Sequence, residues 1–312
     1  MLLMCKDKIV YDIDRDKVVN YNLLPGYMLN RINNPYTFKY WLKLRYSSNT
    51  NTLARMLKGV VFGQGNRVLI DNKTHILSLS DCYWVKEDNS NLFFKDISPY
   101  YNDFWKGRGE YSENGGAIPT LYVSGFLPKE WVSSEYLYKY GNNLNIEVEV
   151  CNLCKMCNIS VCDIELIHGG VRVKNFTNPN VMLEQADESG IIDPDDFTES
   201  DIIEKLGLVG AQIVIIDAII GNGDRHAGNF GWLRDSNTGR YIGSAPLYDF
   251  DHALDSRLDM DRLIIDAVSA IKKNGYYIQE LKRICSIVDS IDTNKIFKKR
   301  SKSMLILLSE GK

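Results

Sequence analysis

GNGDRHAGNFGWLRDSNTGRYIGSAPLYDFDHAL, residues 221–254, carries Asp224 and Asn229 five residues apart and, twenty residues after Asn229, Asp249 inside a Tyr-Asp-Phe-Asp run. Asn237-Thr238-Gly239 reads as a tight turn between two short strand-like runs, 230–233 and 241–243. Such a hairpin returns the Asp249 segment to the side of the Asp224–Asn229 loop. Moving a phosphoryl group from ATP needs an Asp at the attacking hydroxyl, with an Asn and an Asp holding magnesium on the phosphates. The stretch offers all three in that order. Asp-x-x-x-x-Asn alone would read better as a solvated polar loop. The flanking Gly-Asn-Gly-Asp-Arg-His and the Tyr-Asp-Phe-Asp tip the reading toward phosphotransfer.

Working outward, QIVIIDAII (212–220) is almost wholly apolar and is expected as a buried helix that delivers the loop from a rigid base. Ser200 or Asp201 is expected to cap the helix before it, with Glu204 completing a capping box if Asp201 is the cap. Beyond Leu258, LDMDRLIIDAVSAIKK, YYIQELKRICSIVD and the segment after Thr293 all carry helical periodicity. The basic run Lys298-Lys299-Arg300-Ser301-Lys302 reads as a solvated helix face.

On the N-terminal side, Val10 to Ile13, Ile76 to Ser80 and Tyr83 to Val85 read as strands, and Leu24-Pro25-Gly26 as a turn. Tyr36 to Tyr46 and Thr52 to Val60 have helical spacing, with Asn49 or Asn51 as caps for the latter. The aromatic group Tyr36, Phe38, Tyr40, Trp41 and Tyr46 reads as core. No catalytic constellation occurs before about residue 105. The polar, glycine-rich 102–116 reads as a long boundary loop. Then come a strand at 119–123, a turn around Gly125 and a strand at 130–132. Residues 135–141 alternate like a half-exposed strand, Glu147 to Met156 forms a helix, and 164–167 and 171–173 are strands joined at His168-Gly169-Gly170.

Asp-Arg-His-x-x-Asn followed by Ala-Pro-Leu-Tyr-Asp-Phe-Asp resembles the HipA family of bacterial serine/threonine kinases, and its short members most. The Leu-Ser-Leu-Ser-Asp-x-Tyr-Trp run at 77–84 and Gly-Phe-Leu-Pro-Lys at 125–129 extend the resemblance over most of the chain. It implies an α+β, protein-kinase-like bilobal fold with an N-terminal accessory region. The accessory region is 1–105, the kinase N-lobe 106–176 and the mainly helical C-lobe 177–312. ATP and magnesium are then expected between the lobes. Asp224 orients or deprotonates the acceptor hydroxyl, and Asn229 and Asp249 bind magnesium. Lys139 meets the phosphates, with Glu147, or alternatively Glu149, as its partner. Gly125 and Lys129 belong to the loop that covers the phosphates. The strand exit Lys174 to Phe176 is the hinge to the adenine. Arg225 and His226 brace the loop, His226 as a neutral ring packed under the Asp249 turn. The resemblance also implies a protein substrate and an antitoxin or other regulatory partner. Phosphoinositide kinases share Asp-Arg-His-x-x-Asn and are the nearest rival, so a lipid or small-molecule acceptor stays open. A nucleotide-binding pseudokinase acting as an interaction module is the alternative of a different class.

At 312 residues there is room for one large or two medium domains, and the net charge of −3 gives no nucleic-acid footprint. The N-terminus meets charge within six residues, without the apolar core of a signal peptide or a membrane span, so a cytoplasmic enzyme is the expectation. Seven cysteines argue for reduced thiols. Cys151, Cys154, Cys157 and Cys162 could be read as a zinc or iron–sulfur set. No companion pair completes it elsewhere, and cysteines three apart on a helix simply share a face.

Overall fold

The computed structural model describes residues 1–34, 36–47, 60–62, 68–70, 75–102, 129–141, 144–193, 196–254 and 260–310. In chain order the elements begin β1 (Leu2–Cys5), β2 (Lys8–Asp12), β3 (Lys17–Val18), α1 (Gly26–Leu29), α2 (Thr37–Ser47), β4 (Val60–Phe62), β5 (Val68–Ile70) and β6 (Tyr83–Lys86). Next are α3 (Phe94–Ile97), β7 (Lys129–Ser133), β8 (Tyr136–Tyr140), α4 (Asn145–Met156), β9 (Ile164–Ile167), β10 (Gly170–Lys174), β11 (Val181–Gln185) and α5 (Ala186–Ser189). The chain finishes with α6 (Glu199–Leu206), α7 (Leu208–Ile220), β12 (Gly231–Asp235), β13 (Tyr241–Ser244), α8 (Met260–Asn274), α9 (Ile278–Ser290) and α10 (Lys295–Ser309). The fold is α+β, with small sheets. Its residues fall into two compact units: Met1–Gly141, Arg172–Ile191 and Gly231–Ala245 make the first, and Asn142–Val171, Ile192–Phe230 and Pro246–Lys312 the second.

In the first unit an antiparallel sheet of order β3-β2-β1-β6 shares one core with Phe38, Trp41 and Leu42 of α2: Tyr11 stacks on Phe38 with centroids 6.1 Å apart, and Tyr83 meets Trp41 edge-on at 5.6 Å. Positions 38, 41 and 42 share one helix face, whereas Tyr36 and Tyr40 fall outside it and are exposed. Only part of the aromatic group is therefore core. Ile76 to Ser80, expected as a strand, is irregular. Leu77 and Leu79 are buried between half-buried Ser78 and Ser80, as alternation would have them, but Ile76 is buried too and the backbone is spent on other partners. The Leu79 carbonyl accepts from Thr177 Oγ1, Tyr100 Oη and Asn175 Nδ2, and the Ser80 carbonyl from Leu183 N. Ile76 itself is left-handed (φ 56°). Hydrophobic alternation reports which way side chains face, not where the carbonyls go. The expected 52–60 helix lies outside the described residues except for Val60, which opens β4. The boundary loop beyond Asn102, the strand at 119–123 and Gly125 lie outside them too.

β11, β12 and β13 make a second antiparallel sheet of this unit. Its buried Arg234 donates to Glu184 at 3.1 Å and to the carbonyls of Leu24, Gly239 and Asn22. Glu184 in turn accepts from Gly26 N and from the Tyr241 hydroxyl. This pins the 22–26 segment, where the expected turn becomes the entry to α1.

The second unit is built on α7. Residues 210–220 are all buried, and α6, α8, α9 and α10 pack around them. Such a segment is apolar all round because it has no solvent side. α6 is capped by Thr198, whose side chain and the Asp201 carboxylate form the capping box. Asp201 is thus the third helical residue rather than the cap, because the helix starts at Glu199, two or three residues earlier than a Ser200 or Asp201 cap would begin it. α10 corrects the basic run. Arg300 and Ser301 turn inward, and Arg300 Nε donates to the Ala218 carbonyl at 2.6 Å, while Lys299 and Lys302 stay exposed. The cysteines fill space here. Cys151 and Cys154 line the inner face of α4, Cys151 Sγ donates to the Cys162 carbonyl, and burial pushes Cys157 up to about 11 and Cys285 up to about 12.

Gly210 sets how closely α6 and α7 approach, since a Cβ there would run into the Ile202 carbonyl. Gly210→Ala should therefore cost about 1–3 kcal/mol through forced separation of the two helices. Chemical denaturation monitored by circular dichroism reads this directly. An unchanged midpoint would mean that α6 can give way without loss.

Candidate active site

A carboxylate in the middle of an apolar helix must find partners, since an isolated buried charge is costly. Asp217 of α7 finds Arg225. Its Oδ2 accepts from Arg225 Nε and its Oδ1 from Arg225 Nη2, both at 2.8 Å, a two-pronged ion pair. Asn222 Nδ2 adds a bond to Oδ1 at 3.0 Å. The helix ends at Gly221, whose left-handed φ of 70° turns the chain out while its N–H returns to the Asp217 carbonyl. Asp217 therefore fixes both the helix exit and the loop that follows.

Arg225 has a second task. Its Nη1 donates to the Asn229 carbonyl at 2.8 Å and to the Tyr248 carbonyl at 2.9 Å, and its guanidinium lies over the Phe250 ring. Burial works against its charge, but Asp217, with Asp249 adding to it, holds its pKa above the ordinary guanidinium value. One side chain thus gathers the loop bearing Asp224 and Asn229 and the segment bearing Asp249. Tyr248 Oη, donating to the Gly228 carbonyl at 2.9 Å, adds a second tie. Leu247 is held from behind by backbone bonds to Ser160 and Cys162.

Within the loop, the Asp224 carbonyl accepts from His226 N (2.8 Å) and from Asn229 Nδ2 (3.1 Å). Asn229 is buried, and this bond orients its amide. The Asp224 side chain is half exposed. His226 is not packed under the Asp249 turn. It is exposed, and its Nδ1 accepts from Gly228 N at 3.1 Å, because the short helical turn at 227–229 leaves that N–H in need of an acceptor.

The segment after Tyr248 is strained. Asp249 (φ 61°) and Leu254 (φ 62°) are both left-handed, an arrangement costing on the order of 1–3 kcal/mol per residue and least tolerable for a bulky Leu. Phe250 is fully buried between them, and Leu254 N is tied to the Ile220 carbonyl at 2.9 Å. This turn brings His252 Nε2 to 3.6 Å from Asp224 Oδ2.

In the first unit Lys139 lies on β8 opposite Lys129 on β7. Both are buried, as is Glu147 in the first turn of α4 of the second unit, so none of the three is a solvated surface charge. Glu149 accepts from Asn294 N (3.0 Å) and Thr293 Oγ1 (3.5 Å), which engages it at the start of α10. Lys174 is exposed and Phe176 half-buried at and beyond the end of β10.

The residues that sequence reasoning passed over are Asp217, Asn222, Tyr248 and His252. A signal existed for Asp217, since one carboxylate among eight uncharged residues in QIVIIDAII implies a buried partner. Nothing in the spacing marked His252.

No family model matches this sequence, and no curated protein matches it. Among solved structures, the proinflammatory kinase CtkA of Helicobacter pylori is 20% identical, covering 58% of this chain and 89% of its own, with a TM-score of 0.35. HipA of Shewanella oneidensis MR-1, from a toxin–antitoxin complex with HipB and operator DNA, is 12% identical, covering 99% of this chain and 96% of its own, with a TM-score of 0.45.

Proposed function

We propose that this chain is an ATP- and magnesium-dependent phosphotransferase, a HipA-like protein serine/threonine kinase. The observation that carries the reading is the Arg225 clamp, which holds the Asn229 and Tyr248 carbonyls on one guanidinium. The loop bearing Asp224 and Asn229 is thereby joined to the segment bearing Asp249, which supports reading the three as one group.

The donor set fits magnesium. Among the described residues no three His, Cys, Asp or Glu side chains form a metal cage. Magnesium asks for none, because it keeps waters and takes one or two protein oxygens together with nucleotide phosphates. Asn229 spends its amide nitrogen on the Asp224 carbonyl, which leaves its oxygen as the ligand atom, and Asp249 supplies a carboxylate. When bound, the ion neutralises phosphate charge and aligns the transferred group. Asp224 meets the acceptor. The acceptor oxygen bonds to the γ-phosphorus as the bond from that phosphorus to the bridging oxygen of ADP breaks, and the hydroxyl proton passes to the Asp224 carboxylate.

The same reading assigns Lys139 to the phosphates with Glu147 as its partner, Gly125 and Lys129 to the covering loop, and the 174–176 exit to the adenine. It keeps 106–176 and 177–312 as lobes behind the 1–105 accessory region, with a protein substrate and an antitoxin-like partner. Among the described residues no helix is long and apolar enough to cross a membrane.

Titration calorimetry of ATP with and without magnesium tests the assignment. Asp249→Ala should weaken magnesium-dependent ATP binding by about 10- to 100-fold, the range usual when a metal site loses an orienting group. Equal affinity in the variant would remove Asp249 from the metal site.

A further inference from the structure

The 249–254 turn is held at both ends and in the middle. Asp249 and Leu254 adopt left-handed backbone, Phe250 is buried, Ala253 N bonds the Phe250 carbonyl at 3.0 Å, and Leu254 N bonds the Ile220 carbonyl. The Arg225–Tyr248 bond fixes the peptide that enters Asp249, ahead of the second half of the turn. What the second half of the turn adds is His252, with Nε2 at 3.6 Å from Asp224 Oδ2. That is an ion-pair distance just beyond hydrogen-bond length, and such contacts commonly tighten only when substrate is bound. Strain kept at a site points to a function for what it presents.

Among the described residues Asp224 has few other restraints. Its backbone carbonyl serves the loop, but its half-exposed carboxylate could rotate. A carboxylate that must receive a hydroxyl proton needs one oxygen held so that the other faces the acceptor. The other histidines have different settings. His75 Nδ1 bonds the Val85 carbonyl, His168 is exposed at the β9–β10 turn, and His226 Nδ1 accepts from Gly228 N.

We infer that His252 is a positioning residue for Asp224: its Nε2 engages Oδ2 and leaves Oδ1 for the acceptor hydroxyl. This rests on the phosphotransferase reading. Under it, the hydroxyl proton goes to Asp224 while the new oxygen–phosphorus bond forms and ADP departs, and His252 stabilises the carboxylate's orientation throughout.

Two measurements on the whole 312-residue chain test it. The first needs no activity. With four histidines in the chain, side-chain nitrogen resonances can be assigned by single substitution. Asp224→Asn should shift the His252 ring nitrogens in the nucleotide-free protein and leave the His75 and His168 signals in place. The second is kinetic. His252→Ala should lower kcat for phosphate transfer by about 10- to 100-fold, as for residues that orient a working group, with the KM for ATP unchanged. His252→Gln, which keeps a donor N–H, should recover part of the loss, and His252→Ala should cost nothing further in an Asp224→Asn background. A His252 signal indifferent to Asp224→Asn overturns the pairing whether or not the native chain transfers phosphate. An unchanged kcat in His252→Ala overturns the role. A native chain that transfers no phosphate to any acceptor, with the ring shift still present, overturns the phosphotransferase reading and with it the role in transfer, while the pair itself stands.

Discussion

Asp224→Asn is expected to bind ATP as the native chain does and to transfer phosphate at least about a hundredfold more slowly. The structural argument for so selective an effect is that the two ends of this residue do different jobs. Its main-chain carbonyl organises the loop by accepting from His226 N and Asn229 Nδ2, and the substitution leaves that carbonyl in place. Its carboxylate is half exposed and faces the half-buried His252 at 3.6 Å. The change therefore removes a charge at the acceptor side, together with its pairing to His252, and leaves the loop in place. Incubation with labelled ATP and a host lysate, with self-labelling read on the same gel, compares the two proteins, and calorimetry checks that both bind nucleotide. If proteins are not labelled, phosphoinositides and small alcohols are the next acceptors to try. Equal transfer by both proteins would take Asp224 out of the chemistry. ATP binding with no acceptor of any kind would favour a binding module over an enzyme.

Arg225→Met should be the most damaging single change to stability in the second unit. It strands the Asp217 carboxylate in an apolar helix, and breaking a buried pair from one side typically costs about 3–5 kcal/mol. The paired change Arg225→Met with Asp217→Asn should regain much of that loss, because no charge is left uncompensated and Asn222 keeps an acceptor. It should not regain magnesium-dependent ATP binding, since nothing then joins the Asn229 and Tyr248 carbonyls. Urea denaturation and calorimetry on the native chain and the two variants separate the two effects. A double variant as unstable as the single one would show that the damage does not come from the stranded charge. A double variant that binds nucleotide normally would show that the clamp does not hold the site.

The helices of the second unit were legible in the sequence because period is a strong signal over long segments. QIVIIDAII could only be a buried helix, and the three C-terminal segments fall where their apolar spacing puts them. The β12–β13 hairpin was legible from Asn-Thr-Gly between two apolar runs. What failed were readings that depend on partners. Ile76 to Ser80 has strand-like side chains, but Thr177, Tyr100 and Leu183, all far away in sequence, claim its carbonyls. Arg300 sits in a basic run yet turns inward because the Ala218 carbonyl is there to meet it. Around the candidate site, the order Asp224, Asn229, Asp249 could be read as chemistry. The Asp217–Arg225 pair that holds those residues could not, because a two-pronged ion pair eight residues apart leaves no periodic trace. His252 was invisible for the same reason, since its neighbour Asp224 lies 28 positions back.

One bond at the base of the hairpin changes how the twenty-residue gap from Asn229 to Asp249 should be understood. Ala245 N donates to the Gly231 carbonyl at 2.9 Å, so the fifteen residues 231–245 form a loop closed at its neck. The two chain ends leaving that neck are a fixed width apart whatever lies beyond it. Spacing in this motif is therefore a property of an insert, not of the site. Residues added at the exposed tip near Asn237 would lengthen the gap without moving its ends, at the modest entropic cost of a longer loop. A search for related chains should therefore ask for a hairpin between Asn229 and Asp249 rather than for a gap of twenty residues.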